Sequence, residues 1–495
     1  MNATYFHSSF GLRYLYANLK ELQQAAKIQE FVVSQNPRDI VENILASNPS
    51  IIGLGVYIWN ARQSLEVVSL LKQLVPECLI VLGGPEVSYE TPSQSICQLA
   101  DFTLQGEGEE RFYEICRAFL DRGEKPHHKW EQASLPNLQS LQSPYSFYTE
   151  EDIRHRVIYV EASRGCPYKC EFCLSALDTA VRPFPLDRLL ADFDLLLERG
   201  ARQFKFVDRT FNLHAKTCET ILRYFLGRMH LGLFLHFEMI PDRLPVEIQS
   251  LLKEFPAGSL QLEIGVQTWN PEVARRISRR QNYEKVRENF AFLRRETRAH
   301  LHADLIAGLP GEDIESFGRG FDELLKLEPQ EIQVGILKRL KGTPIIRHDT
   351  EWGMVYQDIS PYPIVRNNTM SFKDLQGITR FAKFWDLYAN SGNFPETMKL
   401  LLGSEQSPFW AFHRFTEFLH QRHPQNHGVA LMSLVESAWL YLGEPSRSSL
   451  LHDYCGRISR DIPPFLRSQK VSVTYREATR VNRQRRHLAT PAALQ

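Results

Sequence analysis

Between Lys27 and Leu120 the chain alternates short, almost unbroken apolar runs with longer stretches in which apolar residues recur every three or four positions. KIQEFVV, IIGLGVYI, CLIVLGG and ADFTLQ read as strands, and residues 62–74 and 107–120 read as helices. Strands that are apolar on both sides, separated by amphipathic helices, predict a parallel sheet buried on both faces. The expectation for residues 1–122 is therefore an open, doubly wound α/β domain.

The alternation breaks over residues 123–156, where Gly123, Pro126, Pro136 and Pro144 fall among polar residues, and this stretch reads as a surface linker. It resumes at Val157. RVIYVEAS, RQFKFVD, LFLHFEMI, SLQLEIGVQ, LHADLIAG and EIQVGIL are six strand candidates with helical patterns between them, which predicts a partial (β/α)6 barrel over 157–344. From 345 to 495, patterns such as ITRFAKFWDLYAN and PFWAFHRFTEFLHQ predict a mostly helical extension with an aromatic core. The basic end, RVNRQRRHLATPAALQ, reads as a solvated, frayed terminus, with a clamp on a phosphate-bearing substrate as the alternative.

Composition narrows the class. With 43% apolar and 23% charged residues and a formal net charge of zero, the chain is not disordered. Its overall balance gives no footing for nucleic acid or an anionic membrane. No apolar run approaches the length of a membrane span and the first residues lack a secretory pattern, so the expected location is the cytoplasm. Eight cysteines in 495 residues are too dilute for a disulfide scaffold.

Three of them cluster. SRGCPYKCEFC places Cys166, Cys170 and Cys173 at spacings of four and three. On a helix these would form one apolar stripe, but Gly165 and Pro167 mark a turn just after a strand, where a loop can wrap a ligand. A structural zinc site and a ferredoxin-type cluster each want four protein ligands. Three thiols leave one iron of a cubane open.

CxxxCxxC with Phe172 just before the last cysteine, directly after a barrel strand, resembles the signature of the radical S-adenosylmethionine (SAM) superfamily. The resemblance implies a 4Fe-4S cluster whose open iron binds SAM and whose electron cleaves it to a 5′-deoxyadenosyl radical. It also implies SAM contacts along the barrel. These are Phe172; Asp208 and Asn212 in FVDRTFN, where Asp208 has helix capping as its alternative; Glu263 and Gln267 in LEIGVQ, either of which has a structural role as its alternative; and Gly308 in DLIAGLPGE, near adenine. Glu312 reads as a ligand or a helix start, and Glu238 and Arg243 as polar groups at the barrel mouth.

VLGGPEVSYE and LQGEGEERF resemble the cobalamin-binding domain found ahead of such barrels. The implied cobalamin residues are Tyr57, Trp59, Gly83, Gly84, Pro85, Glu86, Gly106 and Glu107, with the glycines admitting a nucleotide tail to the sheet edge. No DxHxxG motif follows, so a histidine from that motif does not ligate cobalt; a flavodoxin-like module without cofactor is the alternative. Cys78, Cys97 and Cys116 read as core residues, which argues against a methylthiotransferase. The implied function is cobalamin-dependent radical SAM chemistry, with methyl transfer to an unactivated carbon first, and cyclisation, rearrangement or oxidation second. A non-catalytic cobalamin or redox sensor is the third reading. The implied partners are a small-molecule or peptide substrate and an external reductant such as flavodoxin or ferredoxin, without membrane or nucleic acid.

Overall fold

The computed structural model describes residues 1–425, 428–455, 461–467 and 483–488. Four parallel strands, β1 (Ile51–Gly55), β2 (Leu79–Gly83), β3 (Phe102–Gln105) and β4 (Trp130–Gln132), lie side by side in that order. Side chains alternate across β2. Ile80 and Leu82 pack with Ile52 and with Ile40, Val67 and Leu71 of helices Pro37–Leu45 and Ala61–Leu74. Leu79 and Val81 pack on the opposite face with Phe102, Leu104 and Ile115, the last from helix Glu109–Arg122. Helices thus cover both faces, as the unbroken apolar runs require.

Two expectations fail here. KIQEFVV is not a strand: only Val32 bridges, to Asn2, because Glu30 is drawn into ion pairs with buried Arg13 at 2.8 Å and Arg156 at 3.0 Å. Residues 123–156 are not a surface linker either. Trp130–Gln132 extends the sheet, and Tyr145, Tyr148 and Ile153 are buried in the central core. The prolines interrupt helix and strand patterns without forcing the chain into water.

The central sheet has six parallel strands whose spatial order follows the sequence: β5 (Ile158–Val160), β6 (Gln203–Phe206), β7 (Phe234–Met239), β8 (Leu260–Gln267), β9 (His300–Ala307) and β10 (Glu331–Ile336). β5 and β10 do not pair with each other, so the layout is that of an unclosed barrel. Leu235, Phe237, Leu262, Ile264, Leu301 and Ala303 are buried on the helix-covered side. The residues between them, His236, Glu238, Glu263 and His302, face the other way and stay partly accessible.

The aromatic residues of the extension form a core, as expected. Phe381, Trp385, Phe409 and Phe412, on helices Phe372–Trp385 and Pro408–Arg422, are at most 3% exposed; Phe381 and Trp385 meet Phe321 of helix Ile314–Leu325 edge to face, Phe409 packs tilted against it, and Phe412 meets Phe381 edge to face. This core is continuous with that of the central sheet. The last described segment, Arg483–Leu488, does not fray: Arg483 meets Glu331 at 2.9 Å and Asp386 at 2.5 Å, at the amino end of β10. That end is opposite the cysteine loop, so the described part of the tail is no substrate clamp there; residues 480–482 and 489–495 lie outside the described residues.

Candidate active site

The cysteine loop leaves the carboxyl end of β5 and is closed at its base by a two-stranded antiparallel pairing, Ser163–Arg164 against Arg182–Pro183. Gly165 adopts φ +89° with the Ala180 carbonyl where a Cβ would stand, so the turn requires glycine. Cys166 and Cys170 are buried and Cys173 is half-buried. Burial pushes the Cys166 and Cys170 thiols up, and charge on the neighbouring cysteines adds to it. The three thiols are therefore within electrostatic reach of one another. Among the described residues no three His, Cys, Asp or Glu side chains close on a point fit for a single ion.

Positive charge stands beside them. Arg279 donates from Nη1 to Cys170 Sγ at 3.5 Å and from Nε to the Val266 carbonyl at 3.2 Å, tying the loop to the end of β8. Arg209 lies within electrostatic reach of Cys166 and Cys173. Glu171, between Cys170 and Phe172, is fixed on every side: its carboxylate accepts from Ser278 Oγ at 2.5 Å and pairs with His348 at 2.8 Å and Arg347 at 2.5 Å. Its N–H donates to the Ile277 carbonyl, and its own carbonyl accepts from Ile345 N–H. Sequence reasoning missed Arg279, Glu171 and His348, since nothing in their local spacing marks them.

The predicted SAM residues divide. Phe172 packs half-buried against the core. Asp208 is not a helix cap: it accepts from Ala162 N–H at 2.9 Å and Ser163 Oγ at 2.6 Å, holding the start of the cysteine loop. Burial pushes its carboxyl up to about 7. Asn212 is fully buried, accepting from Ile240 N–H at 2.7 Å and donating to the Ile240 and Arg243 carbonyls. Its amide thus positions the chain after β7. Gly308 is required by packing: at φ +89° its Cβ would stand 2.6 Å from Ile364 Cγ2 of the extension. Glu312 accepts from Thr268 Oγ1 at 2.6 Å and burial raises it to about 7, while Asp313 caps the following helix. Gln267, at φ +73° beside an irregularity in β8, fills the space left by Gly265 and stays half-buried at the strand end.

Glu263 lies on the inner face, among polar neighbours. It pairs with His236 at 2.7 Å and Lys205 at 3.6 Å, and these contacts overcome burial to hold its carboxyl down at about 2. Beside it, Glu238 pairs with Arg209 at 3.0 Å and Asp304 faces His302 at 3.4 Å. Period-two polar positions in LHFEM, LQLEIGVQ and HLHADLI carried this signal in the sequence.

At the carboxyl edge of the first sheet, Tyr57 and Trp59 stack with ring centroids 4.5 Å apart, and Trp59 is half-exposed. Gly83 is open, its Cβ position 3.8 Å from the Leu104 carbonyl, and Pro85 is half-buried. Four predicted cobalamin residues have other duties. Gly84 is glycine because the Val56 carbonyl stands 2.5 Å from where its Cβ would be, and Gly106 because its φ is +79°. Glu86 accepts from Tyr362 Oη of the extension at 2.6 Å. Glu107 accepts from Arg164 Nη1 at 2.7 Å and pairs with Arg182. Arg164 also meets Glu109 at 2.8 Å and Glu161 at 3.0 Å. The GEGEE segment therefore grips both strands at the base of the cysteine loop. Cys78, Cys97 and Cys116 are buried core residues, as expected.

Residues 160–324 match the family model described as the radical SAM superfamily, residues 1–116 match that of the B12 binding domain, and residues 350–490 match a protein of unknown function (DUF4080). A cobalamin-dependent radical SAM methyltransferase, TokK of Streptomyces tokunonensis, is 26% identical over 68% of this chain and 54% of its own length. A 2-(S-pantetheinyl)-carbapenam-3-carboxylate methyltransferase of Streptantibioticus cattleyicolor is 26% identical over 60% of this chain and 48% of its own. The chain thus spans about half the length of these curated relatives. The solved structure of the cobalamin-dependent radical enzyme OxsB, with aqua-cobalamin and SAM bound, shares the fold at a TM-score of 0.57 and 16% identity, covering 90% of this chain and 72% of that one. The chain thus carries a radical SAM domain behind an N-terminal B12-binding domain, the pair of domains that takes a 4Fe-4S cluster, SAM and cobalamin.

Proposed function

We propose that this chain is a cobalamin-dependent radical SAM methyltransferase that acts on an unactivated carbon of a small molecule or peptide. The observation that carries the reading is the B12-binding and radical SAM matches in one chain, with similarity to TokK running over 68% of it. When bound, the cluster and SAM supply a 5′-deoxyadenosyl radical that takes hydrogen from the substrate, and cobalamin supplies the methyl group. Cys166, Cys170 and Cys173 would hold the cluster, and Arg279 and Arg209 would offset its thiolate charge. Glu107 and Arg164 would keep the cobalamin edge in a fixed frame with the cysteine loop. An external reductant such as flavodoxin or ferredoxin would deliver the electron. Among the described residues no helix is long and apolar enough to cross a membrane, which accords with a cytoplasmic enzyme.

Cyclisation, rearrangement or oxidation with the same parts is the second reading, favoured by the broad match to OxsB, which is named a radical enzyme and not a methyltransferase. The test is anaerobic turnover with candidate substrates and SAM labelled on its methyl group. Labelled product with cobalamin-dependent S-adenosylhomocysteine supports methyl transfer. 5′-Deoxyadenosine without S-adenosylhomocysteine supports the second reading. Neither, with the cluster and cobalamin fully loaded, refutes both and leaves a binding protein.

A further inference from the structure

Among the described residues, the inner face of the central sheet holds a cation, Lys205, whose hydrogen-bonding capacity its neighbours leave open. In a packed barrel the inward positions are branched apolar residues. Here Tyr159, Lys205 and His236 stand in register across β5, β6 and β7, with Lys205 one residue before the end of β6 and so just below the cysteine loop. Among the described residues Lys205 Nζ makes an ion pair with Glu263 at 3.6 Å and no hydrogen bond, and its side chain is 32% exposed. Glu263 takes its short contact from His236 instead, at 2.7 Å.

On the side of Lys205 away from Glu263 stand Tyr159 and His7. His7 Nδ1 lies 2.5 Å from Tyr159 Oη, and the two rings stack at 6.1 Å. Burial and the charge on Lys205 both lower the His7 pKa, and burial pushes the Tyr159 hydroxyl up to about 12, so the corner offers a phenol, an imidazole and an ammonium. No ion pair joins His7 or Tyr159 to a carboxylate among the described residues. An ammonium with free donors, partly screened from water and beside a phenol held by an imidazole, can receive a small anion.

We propose that Lys205 and Tyr159 form the subsite that receives an anionic group, a carboxylate or a phosphate, of the substrate. The use of the subsite in catalysis rests on the radical SAM reading, but anion binding does not. Its test is therefore independent of turnover. The full chain is reductively methylated with 13C-formaldehyde, which keeps lysine charge, and the dimethyl-Lys205 signal, identified by its loss in K205R, is followed by NMR during titration with succinate and, separately, inorganic phosphate.

The expected result is a saturable shift of the Lys205 signal with one of the two, which names the group. That shift is retained in E263Q and weakened in Y159F. Binding of the same anion, measured by calorimetry, falls about tenfold or more in K205M, as expected for one charge-assisted hydrogen-bonding partner. A Lys205 signal that neither anion moves, or that moves only as surface lysines do, overturns the proposal. So does calorimetric binding undiminished in folded K205M or Y159F. Anion binding without any SAM cleavage would leave the subsite standing and sink the proposed reaction, whereas cleavage without anion binding would do the reverse.

Discussion

Replacing Arg164 by methionine keeps most of the side chain's volume and removes its charge from among Glu107, Glu109 and Glu161. Arg164 is 13% exposed, Glu109 and Glu161 are 8% exposed, and the guanidinium also covers the Tyr14 ring at 4.7 Å. Removing one partner of a buried pair leaves uncompensated charge and costs about 3–5 kcal/mol. Glu107 is the most solvated of the three carboxylates and water screens part of its loss, so the low end, about 3 kcal/mol, applies. The penalty falls on closure of the pairing at the base of the cysteine loop.

If opening of residues 163–183 limits amide exchange there, 3 kcal/mol corresponds to exchange roughly 100-fold faster. Hydrogen exchange on the full chain reads this directly, with helix Phe372–Trp385, far from the change, as internal reference. R164K retains charge but loses the multiple, planar contacts, and should fall between. Exchange in 163–183 within about threefold of the unchanged protein in R164M would refute the reasoning, for the ion cluster would then contribute under about 1 kcal/mol and GEGEE would need another role.

Gly84→Ala should destabilise the first domain by about 1–3 kcal/mol, read as a lower denaturant midpoint, since φ is +102° and the Val56 carbonyl blocks the new methyl. Gly83→Ala, with open space around it, should leave that midpoint unchanged and instead weaken cobalamin uptake, measured by absorbance after hydroxocobalamin is supplied. Asp208 and Glu312 are each held up to about 7, so between about pH 4 and 7 the folded chain binds more protons than the unfolded one, and stability falls as pH rises through that window; D208N and E312Q should flatten the fall in denaturation series at pH 5 and 8. Cys166→Ala, Cys170→Ala or Cys173→Ala should abolish 5′-deoxyadenosine formation while cobalamin content is kept, and cleavage surviving any one of them would falsify the cluster assignment. Truncation after Val481 should leave SAM cleavage within about twofold, because Arg483, 34% exposed, is worth no more than about 1 kcal/mol at the end of the sheet remote from the cysteines.

What could be read in the sequence was what local pattern encodes. All six central strands, the helices at 62–74 and 107–120, the aromatic core and the cysteine loop follow from periodicity, turn residues and spacing. What escaped was set by distant contacts. Gly84, Gly106 and Gly308 looked like sites of ligand approach, yet Gly84 and Gly308 are crowded by Val56 and Ile364 from other segments, and Gly106 is called for by its φ of +79°. Glu107 and Glu86 read as cofactor contacts, and nothing in the sequence signalled their pairings with Arg182 and Tyr362, because an acidic residue at a strand end serves a guanidinium or a phenol as well as a ligand. Trp130–Gln132 was hidden by the prolines around it, and its pairing with β3 is decided by the free edge it covers.

Those distant contacts also explain why the extension belongs to the site although it supplies no cysteine to it. An unclosed barrel leaves β10 with an open edge and an inner face of charged groups, a combination that costs stability unless something shields it. Helix Phe372–Trp385 continues through Asn390, whose side chain accepts from Ile332 N–H at 3.0 Å and donates to the Ile332 carbonyl at 2.9 Å, capping the edge of β10 itself. Ile364 presses on Gly308 at the end of β9, Tyr362 reaches Glu86 on the first sheet, and His348, just before the extension's family match begins, holds Glu171 between two of the cysteines. The same segment therefore covers the edge of β10, touches the carboxyl edge of the first sheet and fixes the cysteine loop. A substitution in the extension far from any cofactor should then disturb cluster retention before it disturbs folding, and Glu171, reached from it by one hydrogen bond, is where that coupling enters the loop.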